Sequence, residues 1–436
     1  MPSVAAFRPL RSRDYAIVWS AGLVSNIGTW LQTVAVGALV TGLTRNPIWT
    51  AVAYVAAFLP MGVLSPIGGA LADRLDRRRF TIVATMVEAV LAATLAALVA
   101  AGHTSPVLVN VVVFVAGCVS ALRLPFQQAM LPDLVPKEDL VGAVSLGSAQ
   151  WNLGRVVGPA LAGIVIVAGS FSLAFALNAV SFVAIVLAYV VVKPPQPTPT
   201  DEWPGVVKQL RAGAAAVRAD PGCKAALVLI ACAAGIAAPF MGLIAAMGEE
   251  LVSDLGGVVS PERIAGATGA LTTGQGIGAV IGSLLLPTLV ERFGRHRVVL
   301  GSLVGTSLAL IPYGLAPNVP SAAVAIAFTG GIYIFVLSGL SAVMQLRAPA
   351  EYRGRAISLF WAVLSIMFPI GALAQGVLAR QVGMRATTIA SGVALLVAVA
   401  IVRLTRPQLM RAVEDPSLEE VEKAERLVAE PEPLVP

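Results

Sequence analysis

Three charged side chains stand in stretches of sequence that are otherwise apolar: Glu88, Arg123 and Arg155. An ionised group in a low-dielectric setting is expensive to keep, so these are the first residues to ask for chemistry. Glu88 is the only acid deep in any apolar run, and a carboxylate there can gain and lose a proton. It is the proton-coupling candidate, the plainer alternative being a structural ion pair with an arginine. Arg123 and Arg155 could meet a ligand or serve such a pair. A denser burst of charge, Gly69-Ala-Leu-Ala-Asp73-Arg74-Leu-Asp-Arg77-Arg-Arg79, is wedged between two long apolar segments. Other chemistries find little to use. His103 and His296 read as loop residues, and Cys118, Cys223 and Cys232 lack metal-ligand spacing. No nucleophile has a base at recognisable spacing, and no Gly-x-x-x-x-Gly-Lys run is present to hold a phosphate. No enzyme, cofactor or metal is expected.

The elements that position these residues follow from composition. A chain of 436 residues that is 57% hydrophobic and 12% charged cannot cover a soluble surface. Its apolar runs, each about 20 residues or longer, read as membrane spans. They fall at 15–43, 49–72, 80–101, 107–130, 143–168, 171–192, 225–248, 264–290, 298–316, 321–346, 356–379 and 387–404. Only internally hydrogen-bonded helices or closed barrels cross lipid, and these runs lack barrel alternation, so an all-α membrane protein of twelve transmembrane helices is expected. On the rise of a helix Glu88 lies about 12 Å into the third span. The segment before the first span carries Arg8, Arg11, Arg13 and Asp14, and its apolar run is too long for a cleaved signal.

Lysines and arginines set the orientation. Of the 30 in the chain, Arg45, Arg263, Arg380 and Arg385 fall in outer segments if the N-terminus is cytoplasmic, and Arg123 and Arg155 fall inside spans. All the others fall on the inner side, which predicts cytoplasmic termini in an inner or plasma membrane. The basic balance, formally +6, is then a topology signal rather than a sign of nucleic acid. Four parts result: a six-helix bundle over 1–192, a cytoplasmic linker over 193–222, a second bundle over 223–405 and an acidic tail over 406–436. The linker is proline-rich and continues into an amphipathic helix over 203–219, with Lys208, Arg211 and Arg218 toward lipid headgroups.

The charged loop has a degenerate copy about 215 residues later, Pro287-Thr-Leu-Val-Glu291-Arg292-Phe-Gly-Arg295-His-Arg297. A second match, Pro136-Lys-Glu138 through Leu146 against Pro349-Ala-Glu351 through Leu359, opens the fifth helix of each half. Two motifs recurring in the same order make two related halves the economical reading.

Twelve spans in six plus six, with Gly-x-Leu-Ala-Asp-Arg-x-x-Arg-Arg-Arg between the second and third, resemble the major facilitator superfamily over about residues 10 to 405. Asp76 stands where that signature usually has glycine, which Gly294 keeps in the second copy. The stretches Ala121 to Val135 and Asn152 to Gly163 are similar to the exporter branch with enterobactin exporters and macrolide-efflux-like proteins, the transmembrane secretion effector family. That branch commonly has an acid where Arg123 stands and a base where Gln127 stands, so the resemblance carries no substrate over.

The resemblance implies two pseudo-symmetric bundles, a monomer, and gating by the charged loops through Gly69, Asp73, Arg74, Arg77, Glu291, Arg292 and Arg295. Asp73 would meet the start of the eleventh helix, where a helix dipole favours a carboxylate, while Arg77 and Arg79 pair with acids or lipid phosphates. Gly158, Pro159 and Gly163, with Gly154, resemble an antiporter motif, and Gly274, Gly276, Gly278 and Gly282 likewise permit close helix contact. Helices one, four, seven and ten would line a cavity through Asn26, Trp30, Gln32, Arg123, Gln127, Gln128, Met241, Tyr333 and Ser338, with Arg155 beside them. Amides and aromatics without an acid suit a bulky amphiphile, neutral or anionic rather than cationic. The implied function is proton-coupled export of a drug, siderophore or secondary metabolite; an uptake carrier or lipid transporter of the same fold is the alternative.

Overall fold

A backbone in lipid has no water to bond, so long apolar runs close their hydrogen bonds internally as helices. The computed structural model describes residues 7–195, 217, 220–254, 256, 259–348 and 353–413. Among these residues twelve helices are long and apolar enough to cross a membrane, and no strand occurs. They are α1 (Arg13–Thr44), α2 (Pro47–Ala72), α3 (Arg77–Ala100), α4 (Pro106–Met130), α5 (Leu140–Ala168), α6 (Phe171–Val191), α7 (Pro221–Asp254), α8 (Pro261–Phe293), α9 (Arg295–Leu315), α10 (Val319–Arg347), α11 (Arg353–Val382) and α12 (Met384–Thr405). Every expected span is present. Apart from Val217, the expected linker helix lies outside the described residues, as do 349–352 of the second internal match and the acidic tail beyond 413.

Helix starts follow the local sequence. Asn46, Ser105, Ser170 and Asp220 each accept a backbone N–H from the first turn of the helix they precede, and Pro47, Pro106 and Pro221 fill the position where a missing N–H costs nothing. The expected continuous seventh span is broken. After Pro221–Cys232 comes a π turn at Ala233–Ala237, then a 3-10 turn at Ala238–Phe240, and the helix resumes at Ile244–Asp254. The wide turn exposes the Ile236 carbonyl, which accepts from Gln375 Nε2 at 2.5 Å.

Packing divides the chain into two units, one of Met1–Trp203, Gly242–Gly276 and Pro317–Ala323, the other of Pro204–Met241, Ile277–Ala316 and Val324–Pro436. In the first unit α1 packs on α5, α2 on α4 and α3 on α6. In the second, the π turn of α7 packs on α11, and α9 on α12. Gly278 of α8 lies against the backbone of Ala327 in α10. Adding six to each helix of the first three pairs yields the second three, so the repeat is visible in the packing.

The first unit buries Val34, Leu39, Val113, Ile166, Phe175 and Ile264 in one cluster. Helix α3 shows the inverted polarity of a membrane helix: Thr81, Thr85, Glu88 and Leu95 are buried, while Val83, Val87 and Val90 are exposed. That spacing puts the polar groups on the protein side and the branched apolar groups outward.

Candidate functional site

The charged loop is built by helix ends. Helix α2 stops at Ala72, and Asp76 starts α3 by accepting the Arg79 N–H at 2.8 Å. Arg77 then reaches back: Nε donates to the Ala72 carbonyl at 2.8 Å, Nη1 to the Ala129 carbonyl at 3.1 Å, and Nη2 meets Asp73 Oδ1 at 3.5 Å. Arg78 donates to the carbonyls of Tyr189 at 2.5 Å, Val190 at 3.1 Å and Val192 at 3.2 Å. The last carbonyls of a helix lack intrahelical donors and carry partial negative charge. Two arginines therefore bind the ends of α2, α4 and α6, a role that charge counting gives no hint of.

Asp73 keeps 65% of its side chain exposed, Arg74 is exposed, and a Cβ on Gly69 would meet nothing within 4 Å. In the second copy Gly294, at φ 79, opens α9 with no side-chain cap. Arg292 lies over the Phe293 ring at 5.5 Å, Arg295 is half-buried and Glu291 exposed. His296 sits in the first turn of α9 rather than in the loop.

Glu88 and Arg123 come together. Arg123 Nε lies 2.7 Å from Glu88 Oε2, with 10% and 4% of the two side chains exposed. Arg123 Nη1 also donates to Gln127 Oε1 at 2.5 Å, one turn along α4. Arg123 and Gln127 are thus engaged with α3 and with each other inside the first unit, and Gln128 is exposed.

The other expected lining residues separate into groups. Asn26 Nδ2 donates to Gln150 Oε1 at 3.1 Å, tying α1 to α5. Gln32 Oε1 accepts from Asn178 Nδ2 at 2.8 Å, tying α1 to α6. Trp30 faces α5, where Trp151 meets it edge-on at 5.6 Å and Arg155 lies over its ring at 5.7 Å. A Cβ on Gly158 would sit 2.6 Å from that of Trp30, so the glycine is what lets the helices approach. In the second unit Tyr333 is buried edge-on to Phe240 at 6.1 Å. Met241 begins the turn between the two parts of α7, and Ser338 is half-buried in α10.

Gly163 and Pro159 lie against α8, where a Cβ on Gly269 would stand 2.7 Å from the Pro159 carbonyl and 3.2 Å from Gly163 Cα. Two further contacts join residues far apart in the chain. Arg45, at φ 49 just past α1, pairs with Glu249 at 3.4 Å and donates to the Val259 carbonyl. Arg347 binds both oxygens of Asp220 at 3.0 and 3.2 Å, with only 2% and 4% of the side chains exposed. For Asp220 a signal existed: an acid immediately before Pro221 is a helix-start pattern.

Comparison with known proteins agrees with this architecture. Macrolide efflux protein A of Streptococcus pyogenes is 25% identical over 401 residues, covering 88% of this chain and 94% of that protein. Multidrug efflux pump Tap of Mycolicibacterium fortuitum is 24% identical, covering 90% and 95%. Enterobactin exporter EntS of Escherichia coli is 25% identical, covering 92% and 94%. Among solved structures, the inward-facing, unoccupied bacterial homologue of the human lysosomal transporter Spinster superposes with a TM-score of 0.71 at 15% identity, covering 94% of this chain and all of that one. The nucleoside transporter NupG gives 0.71 at 12% identity, covering 92% and 98%. The two solved structures show the major facilitator fold. With the profile of the transmembrane secretion effectors matching residues 4–431, the chain belongs to that family.

Proposed function

We propose that the protein is a secondary active exporter, moving a bulky amphiphilic small molecule outward across the cell membrane in exchange for protons, by alternating access. The observation that carries the coupling half of this reading is the buried Glu88–Arg123 pair with Gln127 beside it. While Glu88 is ionised, its attraction to the guanidinium clamps α3 to α4. When it is protonated the charge attraction is lost, and Gln127 remains as a neutral partner for Arg123, so the clamp loosens without stranding the cation. The export half is supported by the relatives, whose names describe efflux of macrolides, of multiple drugs and of enterobactin. In this reading the termini are cytoplasmic, the protein works as a monomer, and the exposed Asp73 carboxylate is available to a second partner during the cycle.

Inverted membrane vesicles test both halves. Export predicts accumulation of substrate inside such vesicles, and antiport predicts that accumulation needs an acid interior. Glu88→Gln should abolish this gradient-driven accumulation and leave only equilibration of the substrate across the membrane. Full activity of the variant with an unchanged gradient dependence would remove Glu88 from the mechanism, and uptake in the opposite sense would favour an importer of the same fold.

A further inference from the structure

We propose that the break in α7 is a hinge borne by α11, with Gln375 as the side chain that holds its angle. The inference rests on the transport reading only in taking the swing of α7 as a step of the cycle.

The break has a cause in the chain. Pro239 has no N–H to return to the Gly235 carbonyl, its partner in an unbroken helix, and its ring crowds that carbonyl. The helix widens instead: the Ala238 N–H donates to the Ala233 carbonyl, five residues back, and then tightens as the Met241 N–H donates to Ala238, three back. A wide turn followed by a tight one changes the direction of the axis. The division between the two packing units falls directly after it, between Met241 and Gly242.

One face of α11 is shaped to receive the break. Met367, Gly371 and Gln375 recur every four residues and so share that face. A Cβ on Gly235 would stand 3.9 Å from that of Met367. A Cβ on Gly371 would stand 2.0 Å from the Gly235 carbonyl oxygen and 2.8 Å from the Pro239 ring, so the widened turn needs a glycine opposite it. Gln375, 8% exposed, donates to the Ile236 carbonyl at 2.5 Å. Apolar contact is non-directional, whereas a hydrogen bond holds its angle. Met367 and Gly371 therefore make a surface that can slide, and the Gln375 bond fixes where it stops.

The two arms of the helix differ. The first, Pro221–Cys232, is pinned at its start by the buried Asp220–Arg347 pair. The second, Ile244–Asp254, meets its neighbours through small residues: a Cβ on Gly37 of α1 would stand 3.4 Å from Ala245 Cβ, and one on Gly248 would stand 3.4 Å from Ala267 Cβ of α8. Small residues give a smooth contact that can part without unthreading large side chains. The second arm is the one that swings.

The test uses the full chain in lipid nanodiscs, with spin labels carried on p-acetylphenylalanine in place of Lys224 and Ser253, exposed positions on the two arms, so that the native cysteines stay as they are. An unbroken helix would set these positions about 43 Å apart, a separation that double electron–electron resonance measures. Gln375→Leu should widen the distance distribution at least about twofold relative to the parent. A control pair across unbroken α9, at Arg297 and Leu315, should not respond. A purely structural role for Gln375 would lower the unfolding midpoint and leave the Lys224–Ser253 distances alone. An unchanged distribution, or equal widening at both pairs, overturns the hinge. If Gln375→Leu does not fold, Gly371→Ala decides: its methyl group displaces the Gly235 carbonyl and should shift the mean distance, and an unmoved distance overturns it. Spin-label distances need neither a gradient nor a substrate, so the two readings fail separately. A hinge loosened by Gln375→Leu in a protein that accumulates nothing sinks only the transport reading, and accumulation with an unresponsive α7 sinks only this one.

Discussion

Among the described residues each unit has a deeply buried arginine–carboxylate pair, Glu88–Arg123 in the first and Asp220–Arg347 in the second, and the two are differently built. Asp220 stands just before α7 and Arg347 is the last residue of α10, so the acid sits at a helix start and the cation at a helix end, where dipoles favour both. Asp220 also accepts the Cys223 N–H at 2.7 Å, and a Cβ on Gly222 would collide with the Arg347 side chain. Glu88 and Arg123 lie in mid-helix, away from the helix ends, and the arginine has a neutral alternative in Gln127. One pair is over-determined and behaves as a staple. The other can lose a charge and still be satisfied, which is what a switch needs.

The largest effect should come from breaking the staple. Arg347→Met leaves Asp220 buried without its cation and should cost about 3–5 kcal/mol, read as a lower thermal unfolding midpoint in detergent. A variant as stable as the parent would erase the contrast. Arg77→Ala removes two charge-assisted bonds to helix-end carbonyls and should cost about 2 kcal/mol by the same measurement.

Glu88→Gln should be gentler, about 1 kcal/mol, because glutamine can still accept from Arg123; its signature is loss of gradient-driven accumulation in vesicles. Destabilisation as large as that of Arg347→Met would make both pairs staples. The smallest effect belongs to Asp76→Gly, which gives the first loop the residue the second has at Gly294. A cap replaced by glycine loses only about a few tenths of a kcal/mol, so a large drop would mean that Asp76 has a task beyond starting α3.

What the amino-acid order reveals depends on how local each signal is. Spans are local, since twenty consecutive apolar residues announce themselves, and so is Glu88, a lone acid among them. Its partner is not, because Arg123 is on the next helix and nothing in either run specifies which faces meet. Arg78 was legible only as charge, because its acceptors are backbone carbonyls of α6, more than a hundred residues away and identical in every sequence. Asn26, Gln32 and Trp30 share α1, yet they divide between α5 and α6 according to a rotation that polarity alone cannot fix. The break in α7 is hidden by an apolar run that continues through it, with Gly235 and Pro239 as the only hints.

The arginines that follow α2 lead a double life. During synthesis, positive charge beside a span is read by the insertion machinery as a matter of sign alone, and lysine would serve equally. Once the helices have gathered, Arg77 spreads one planar fork over the Ala72 and Ala129 carbonyls, a geometry a single ammonium cannot reproduce. A lysine at this position would thread the chain correctly and then leave two helix tips loosely tied, so the protein's route into the bilayer and its final firmness hang on the same side chain for different reasons.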